Sequence, residues 1–281
     1  MNSELPPLRD VIAEHGLFAK KGLGQHFLLD LNITRKIARL TGASSDDVIL
    51  EVGPGPGGLT RALLETGADV IAIEKDRRIA EVLAPLSDVY GAKFTLTEAD
   101  ALTINEAAMT EGRNVVLASN LPYNISTELL VKWLLASPRW WTRLVLMFQR
   151  EVGDRILAAP GSKTYGRLSV MAQAASQPSL GFHLPARAFT PPPKVASSVL
   201  VFDDCDHDAL TLKALERVTA AAFAQRRKMI RTTLKPVFGE DMEQVFEALG
   251  LEPTQRAETI SVKTFLDLAE AFRQRTGGEV S

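Results

Sequence analysis

The sequence predicts an open, mostly parallel α/β sheet followed by a small all-helical domain, and three observations carry that prediction. Apolar, β-rich runs alternate with helical patterns from residue 48 to residue 157, as when parallel strands are joined by crossover helices. A turn rich in glycine and proline, Gly53-Pro-Gly-Pro-Gly-Gly58, directly follows the first of these runs. From Asp208 onward the pattern is helical only.

The elements follow in order. Residues 48–53 read as a short buried strand, and 59–66 as a helix with Leu59, Leu63 and Leu64 on one face. Residues 69–73 form the next strand, ending at Glu74; 77–86 are helical, and 93–97 are a strand that leads to Asp100. Residues 115–118 are a strand running into Asn120-Leu-Pro-Tyr123. Ser126 is placed to cap a helix through Leu135, with Glu128 in its first turn. Residues 144–148 are a fifth strand and 151–157 begin a helix. Two last strands, 182–184 and 197–202, flank residues 185–193, which are too rich in proline for regular structure. Helices then cover 210–223, 226–234, 242–249 and 262–273. The chain turns acidic and polar at 203–208, which sets the expected domains at 1–205 and 206–281.

Composition narrows the function classes. With 46% hydrophobic and 23% charged residues in a chain of 281, disordered, collagen-like and coiled-coil classes are excluded. The single Cys205 excludes an internal disulfide framework and a cysteine zinc cluster, and no metal site is expected. No apolar run approaches the ~20 residues of a membrane span, and residues 1–16 resemble neither a signal nor a transit peptide. A cytoplasmic protein without a membrane role is the expectation. The net charge of −2 speaks mildly against nucleic acid, but the local field matters more. Between Arg217 and Lys235 stand six basic residues and no acid, with Arg226-Arg227-Lys228 at their centre.

The glycine-rich turn formally satisfies G-x-G-x-x-G at Gly53, Gly55 and Gly58, where the backbone turns sharply and lets a ligand approach. Glu74 ends the next strand about 20 residues on, where a carboxylate accepts ribose hydroxyls. Asp100, after the third strand, is placed to accept from an adenine amine, although a helix cap is its ordinary reading. Glu51 either orders the turn or faces the ligand's amino end. Together the acids favour a cationic, adenosine-bearing ligand over a pyrophosphate; the turn alone fits a dinucleotide or S-adenosylmethionine.

Ser119-Asn-Leu-Pro-Tyr-Asn124 ends the fourth strand. An exocyclic amine on adenine is planar and a poor nucleophile. Two acceptors on its hydrogens, the Asn120 side-chain oxygen and the Leu121 carbonyl, draw it towards a tetrahedral shape. Pro122 fixes the backbone, and Tyr123 offers a face for an extruded base, with no role foreseen for its hydroxyl. An activated methyl donor then needs no strong general base.

From Lys21 to about Phe265 the sequence resembles the small-subunit ribosomal RNA adenine dimethyltransferases. The resemblance rests on Lys21-Gly-Leu-Gly-Gln-His-Phe-Leu28, the turn at 51–58 with Glu74, Glu98-Ala-Asp100, Asn120 to Tyr123, Phe189-Thr-Pro-Pro-Pro-Lys-Val-Ala-Ser-Ser-Val199 and Phe223-Ala-Gln-Arg-Arg-Lys228. It implies a Rossmann-like class I methyltransferase with a seven-stranded, mostly parallel sheet. The implied activity is transfer of methyls from S-adenosylmethionine to two adjacent adenosines in a hairpin loop near the 3′ end of small-subunit rRNA, within the assembling 30S particle, by a monomer. The implied cofactor residues are His26, Leu28, Gly53, Glu74, Asp100 and Asn120; His26 stands where the family usually carries Asn. The implied base-handling residues are Asn120, Leu121, Pro122, Tyr123 and Phe189, the last stacking on the base opposite Tyr123. Arg226, Arg227, Lys228 and Arg231 are expected on a helix that binds RNA phosphates. Three other readings stay open on the residues alone. One is an N-methyltransferase for DNA adenine or protein glutamine, another an NAD dehydrogenase, the third a non-enzymatic assembly factor.

Overall fold

Two of the most apolar runs, Val48–Val52 and Val115–Ser119, become adjacent strands buried at every position, as expected for a sheet covered on both faces. The computed structural model describes residues 5–16, 26–110, 112–205, 208–225 and 227–276. In chain order the helices and strands are α1 (Leu8–Glu14), β1 (Phe27–Leu28), α2 (Leu31–Thr41), β2 (Val48–Val52), α3 (Gly58–Leu64), β3 (Asp69–Glu74), α4 (Arg77–Tyr90), β4 (Phe94–Glu98), β5 (Val115–Ser119), α5 (Ser126–Leu134), β6 (Arg143–Gln149), α6 (Arg150–Ile156), α7 (Arg167–Ala175), β7 (Ser176–Leu184), β8 (Phe189–Thr190) and β9 (Ser197–Asp204). The helices α8 (Ala209–Ala222), α9 (Ile230–Thr233), α10 (Lys235–Phe238), α11 (Met242–Ala248) and α12 (Val262–Arg275) complete the chain.

The seven-stranded sheet has the order β4-β3-β2-β5-β6-β9-β7. The four ladders among β4, β3, β2, β5 and β6 are parallel, and β9 runs antiparallel to β6. From β2 the chain proceeds outward through β3 and β4, then returns to β5 on the other flank of β2. That reversal opens a crevice at the carboxyl ends of β2 and β5, the standard ligand position in such sheets.

The chain groups into two compact units. The first comprises the residues up to Leu130 with Arg139–Gly153 and Ser179–Asp203; the second comprises Val131–Pro138, Asp154–Pro178 and the residues from Asp204. The second unit therefore reaches back across the 205/206 boundary expected from the sequence. In it α8 packs against α12 and α7, with Leu212, Leu215 and Val218 of α8 and Phe265 and Leu268 of α12 buried.

Three local expectations are corrected. Ser126 is the first residue of α5 and its hydroxyl donates to the Tyr123 carbonyl at 3.1 Å, so it does not act as the cap. Residues 185–193 are not irregular throughout: after a 3₁₀ turn, Phe189 and Thr190 pair with Leu28 and Phe27 in a two-stranded antiparallel sheet. The extended backbone favoured before Pro191 suits that pairing. Residues 226–234 are not one helix. Met229 bridges Arg256, and the Ile230 amide donates to the Gln255 carbonyl at 2.8 Å, so the backbone bonds run across the chain. Arg227 and Lys228 sit in the preceding turn, Arg231 lies on the single-turn helix α9, and all three are exposed. Arg226 lies outside the described residues, as do Lys21 to Gln25 of the opening motif. Among the described residues no helix is long and apolar enough to cross a membrane.

Candidate active site

A cavity of about 540 Å³ lies in the first unit at the carboxyl ends of the sheet. His26, Leu28, Gly53, Glu74, Asp100 and Asn120 all line it, as do Leu121, Pro122 and Tyr123. Residues from five separate chain segments thus meet at the crevice that strand order created. Phe189 does not join them. It is 2% exposed and belongs to the hydrophobic core with Leu28 and Val199, so the expected stacking of Phe189 on a base is corrected to a packing role.

The turn after β2 owes its shape to two constraints. Gly53 has φ +68°, and its amide donates to the Ile73 carbonyl at 2.9 Å, a left-handed conformation that side chains resist. At Gly58 the reason is contact: a Cβ there would stand 2.3 Å from the Leu28 carbonyl oxygen. The short strand β1 is therefore pressed against the start of α3, which carries Phe27 and Leu28 into the cavity wall.

The acids differ in state. Glu51 is 1% exposed and accepts from the Thr60 hydroxyl at 2.7 Å, tying β2 to α3 across the turn. Burial, helped by the charge of Glu74, pushes its pKa up to about 8, so at neutral pH it carries a proton and the cavity holds fewer charges than three carboxylates imply. Glu74 accepts the backbone amides of Lys75 and Asp76, each at 2.8 Å, which fixes its carboxylate at the end of β3. Burial raises its pKa against these amide bonds. Asp100 takes the Leu102 amide at 3.0 Å and the Lys75 ammonium at 2.7 Å; the first is the turn cap that its sequence position allowed.

Glu51 yields a prediction with a definite sign. Its folded pKa of about 8 lies above the unfolded value of 4.5, so folding takes up a proton between those pH values. The contribution of Glu51 to stability is then greatest at low pH and declines as pH rises from 4.5 towards 8, by at most ~1.4 kcal/mol per pH unit. Glu51→Gln keeps a partner for Thr60 and should flatten this slope in thermal melts across that range; an unchanged slope would contradict the assignment.

The Asn120 segment is held from several sides. Ser119 is buried, accepts the Val52 amide at 3.0 Å and donates to the Val52 carbonyl, so one hydroxyl joins the ends of β2 and β5. The Asn120 side-chain nitrogen donates to the His26 carbonyl at 3.1 Å, which leaves its oxygen as the acceptor of the amide. Leu121 is 2% exposed; its buried side chain anchors a backbone that lines the cavity. The Tyr123 hydroxyl is not idle, as the sequence suggested, but bonds the Ser197 hydroxyl at 2.7 Å. The ring of His26 lies 5.8 Å from that of Tyr123 at 34°, with Nδ1 donating to the Pro191 carbonyl at 2.8 Å. Thr60, Ser119 and Ser197 were given no role from the sequence; for Ser119 and Ser197 the available signal is a small hydroxyl in an apolar strand, and for Thr60 one on the buried face of α3, since buried polar groups need partners.

This donor set fits an adenosine-bearing cation. Carboxylates stand at Glu74 and Asp100, Lys75 at the rim is tied to Asp100, and β1 supplies an apolar wall.

A family model described as ribosomal RNA adenine dimethylase matches residues 17–274. Ribosomal RNA small subunit methyltransferase A of Maricaulis maris is 52% identical over 278 residues, covering 96% of each chain. The protein of the same name from Phenylobacterium zucineum is 54% identical over 275 residues, 96% of this chain and 94% of the relative. The crystal structure of a dimethyladenosine transferase from Plasmodium falciparum superposes with a TM-score of 0.77 at 24% identity, over 89% of this chain and 98% of that one. That of the 23S rRNA methyltransferase ErmE gives 0.67 at 23% identity, over 88% and 100%. These structural likenesses speak to fold, and they agree with the class I methyltransferase sheet expected from the sequence. With the family model running nearly end to end and relatives identical at half their positions, the chain belongs to the ribosomal RNA adenine dimethylase family.

Proposed function

We propose that this chain dimethylates the exocyclic amines of two adjacent adenosines in small-subunit rRNA, and that the cavity at the sheet's carboxyl ends binds S-adenosylmethionine. The observation that carries the reading is the Asn120 amide, whose nitrogen is engaged by the His26 carbonyl and whose oxygen is thereby an acceptor in the cavity wall. Family membership and the names of the curated relatives support the substrate class.

Glu74 would take the ribose hydroxyls, Asp100 the adenine amine, and Leu28 the apolar side of the adenosine, with Gly53, His26 and Asn120 towards the methionine end. When bound, S-adenosylmethionine supplies a methyl already activated on a sulfonium. The chain's own work is on the acceptor. In the first transfer Asn120 Oδ1 and the Leu121 carbonyl accept the two hydrogens of the adenine amine and favour a tetrahedral nitrogen whose lone pair is free; in the second, one of them accepts the single hydrogen that remains. Pro122 holds that carbonyl in place, and Tyr123 receives the extruded ring. Water outside the site suffices to take the released proton. The dehydrogenase alternative gives no role to Asn120 to Tyr123, and the assembly-factor alternative gives none to the intact Gly53, Glu74 and Asn120.

In this reading the enzyme acts as a monomer on RNA of the assembling 30S particle in the cytoplasm, and Arg226, Arg227, Lys228 and Arg231 neutralise phosphates. Replacing Arg226, Arg227 and Lys228 by Ala should flatten the salt dependence of RNA binding by up to ~2–3 units of log–log slope, at ~0.7–0.9 per phosphate contact. Cofactor affinity should stay constant; an unaltered slope would remove these residues from the interface. The function itself is tested by incubating labelled S-adenosylmethionine with undermethylated small subunits. Label should enter small-subunit rRNA, and no incorporation would refute the reading.

A further inference from the structure

We propose that Ser197 is a positioning residue for base capture, its hydroxyl anchoring the phenol of Tyr123 and so setting the tilt of the ring that receives the target adenine. This rests on the reading of Tyr123 as the base platform and extends it to a residue outside the cavity wall. Tyr123 follows a strand end and a proline, where the backbone alone leaves the ring free to swing about χ1 and χ2. Its ring is only half-buried, so packing does not fix it completely. The hydroxyl of Ser197, 2.7 Å from the phenol oxygen, supplies the missing constraint.

Ser197 suits that task because it is immobile itself. It is 0% exposed, and it pairs with Gln149 in the ladder between β9 and β6. Next to it, the Arg150 amide donates to the Ala196 carbonyl at 2.9 Å. A buried serine hydroxyl demands a partner, and Tyr123 provides it across 74 residues of sequence. The same segment reaches the site a second time, since the Pro191 carbonyl holds the His26 ring beside Tyr123. The proline-rich stretch from Pro191 to Ser197 thus bonds the two neighbouring rings of the cavity wall, while Phe189, two residues before it, packs in the core. An unanchored Tyr123 would still offer an apolar face but would have to be ordered anew each time a base is extruded. That cost falls after RNA has bound, so it enters kcat and leaves RNA KM and cofactor affinity alone.

The test uses the full chain with Ser197→Ala, Tyr123→Phe and the double variant. Fluorotyrosine labelling gives three resonances, from Tyr90, Tyr123 and Tyr165, and Tyr123→Phe assigns the relevant one. Ser197→Ala should displace that resonance. It should lower kcat on undermethylated small subunits roughly 2- to 10-fold, the range of one hydrogen bond. Tyr123→Phe should lose a similar factor, the double variant no more than either single one, and Ser197→Thr should restore most of the rate. An unmoved Tyr123 resonance, losses that multiply in the double variant, or a loss that tracks S-adenosylmethionine affinity would each overturn the proposal. If Ser197→Ala does not fold, Tyr123→Phe removes the same bond from the other side, and wild-type kcat in that variant is likewise decisive against it. Absence of dimethyladenosine with the wild-type enzyme would overturn the platform reading and with it the base-capture role; the resonance separately reports whether the anchor exists.

Discussion

Asn120→Ala is expected to lower kcat about 10²- to 10³-fold at saturating cofactor, the scale seen when one preorganised group is removed from a transition state. In the ground state the adenine amine is planar and its hydrogens find acceptors in water, so the Asn120 oxygen adds little to RNA affinity. Its contribution grows as the nitrogen becomes tetrahedral, which is why the loss should appear in kcat far more than in RNA KM. The geometry makes the oxygen reliable: the amide nitrogen is committed to the His26 carbonyl at 3.1 Å, and the preceding residue, Ser119, is bonded to both backbone groups of Val52. Because Asn120 also borders the methionine end in the proposed binding mode, cofactor affinity is measured alongside. A variant with lost affinity but normal kcat would move Asn120 from the chemistry to cofactor binding.

Glu74→Ala should weaken S-adenosylmethionine binding by roughly 10- to 150-fold with the fold intact, since a hydrogen bond to a charged group contributes ~1.5–3 kcal/mol. Two backbone amides hold the carboxylate in position before any ligand arrives, so little ordering cost offsets the bonds it would make to ribose hydroxyls. Calorimetry with purified protein reads this directly. An unchanged Kd would displace Glu74 from the ribose and require another acceptor in the cavity.

The site was legible in the sequence where local pattern and strand topology suffice. Glu74, Asp100 and Asn120 follow apolar strands, and a parallel sheet brings such strand ends together whatever the side chains elsewhere. Features made by distant segments were not legible. Phe189 sits in a proline-rich stretch that reads as an exposed loop, yet its two-residue pairing with Leu28 puts it in the core. The need for Gly58 came from the Leu28 carbonyl, not from the turn's own conformation. The run at 226–234 has helical composition, but its backbone bonds go to Gln255 and its bridge to Arg256, which no periodicity reveals. Glu51 was read by its strand position, whereas its proton follows from complete burial beside Thr60 and Glu74. The helices α2 and α7 and the sheet of β1 with β8 were not read: α2 did carry its signals, with Asp30 capping its start, Gly42 ending it and Ile33, Ile37 and Leu40 on one face, whereas two-residue strands are too short to show any alternation.

If the Asn120 segment holds an adenine amine for methylation, the product itself reports it. Small-subunit RNA from undermethylated particles is incubated with labelled S-adenosylmethionine and either wild-type enzyme or Asn120→Ala, then digested to nucleosides and separated. Label should enter N6,N6-dimethyladenosine with the wild type, and almost none should with Asn120→Ala over the same time at saturating cofactor. Label in another nucleoside, or near-normal dimethyladenosine from Asn120→Ala, would contradict it.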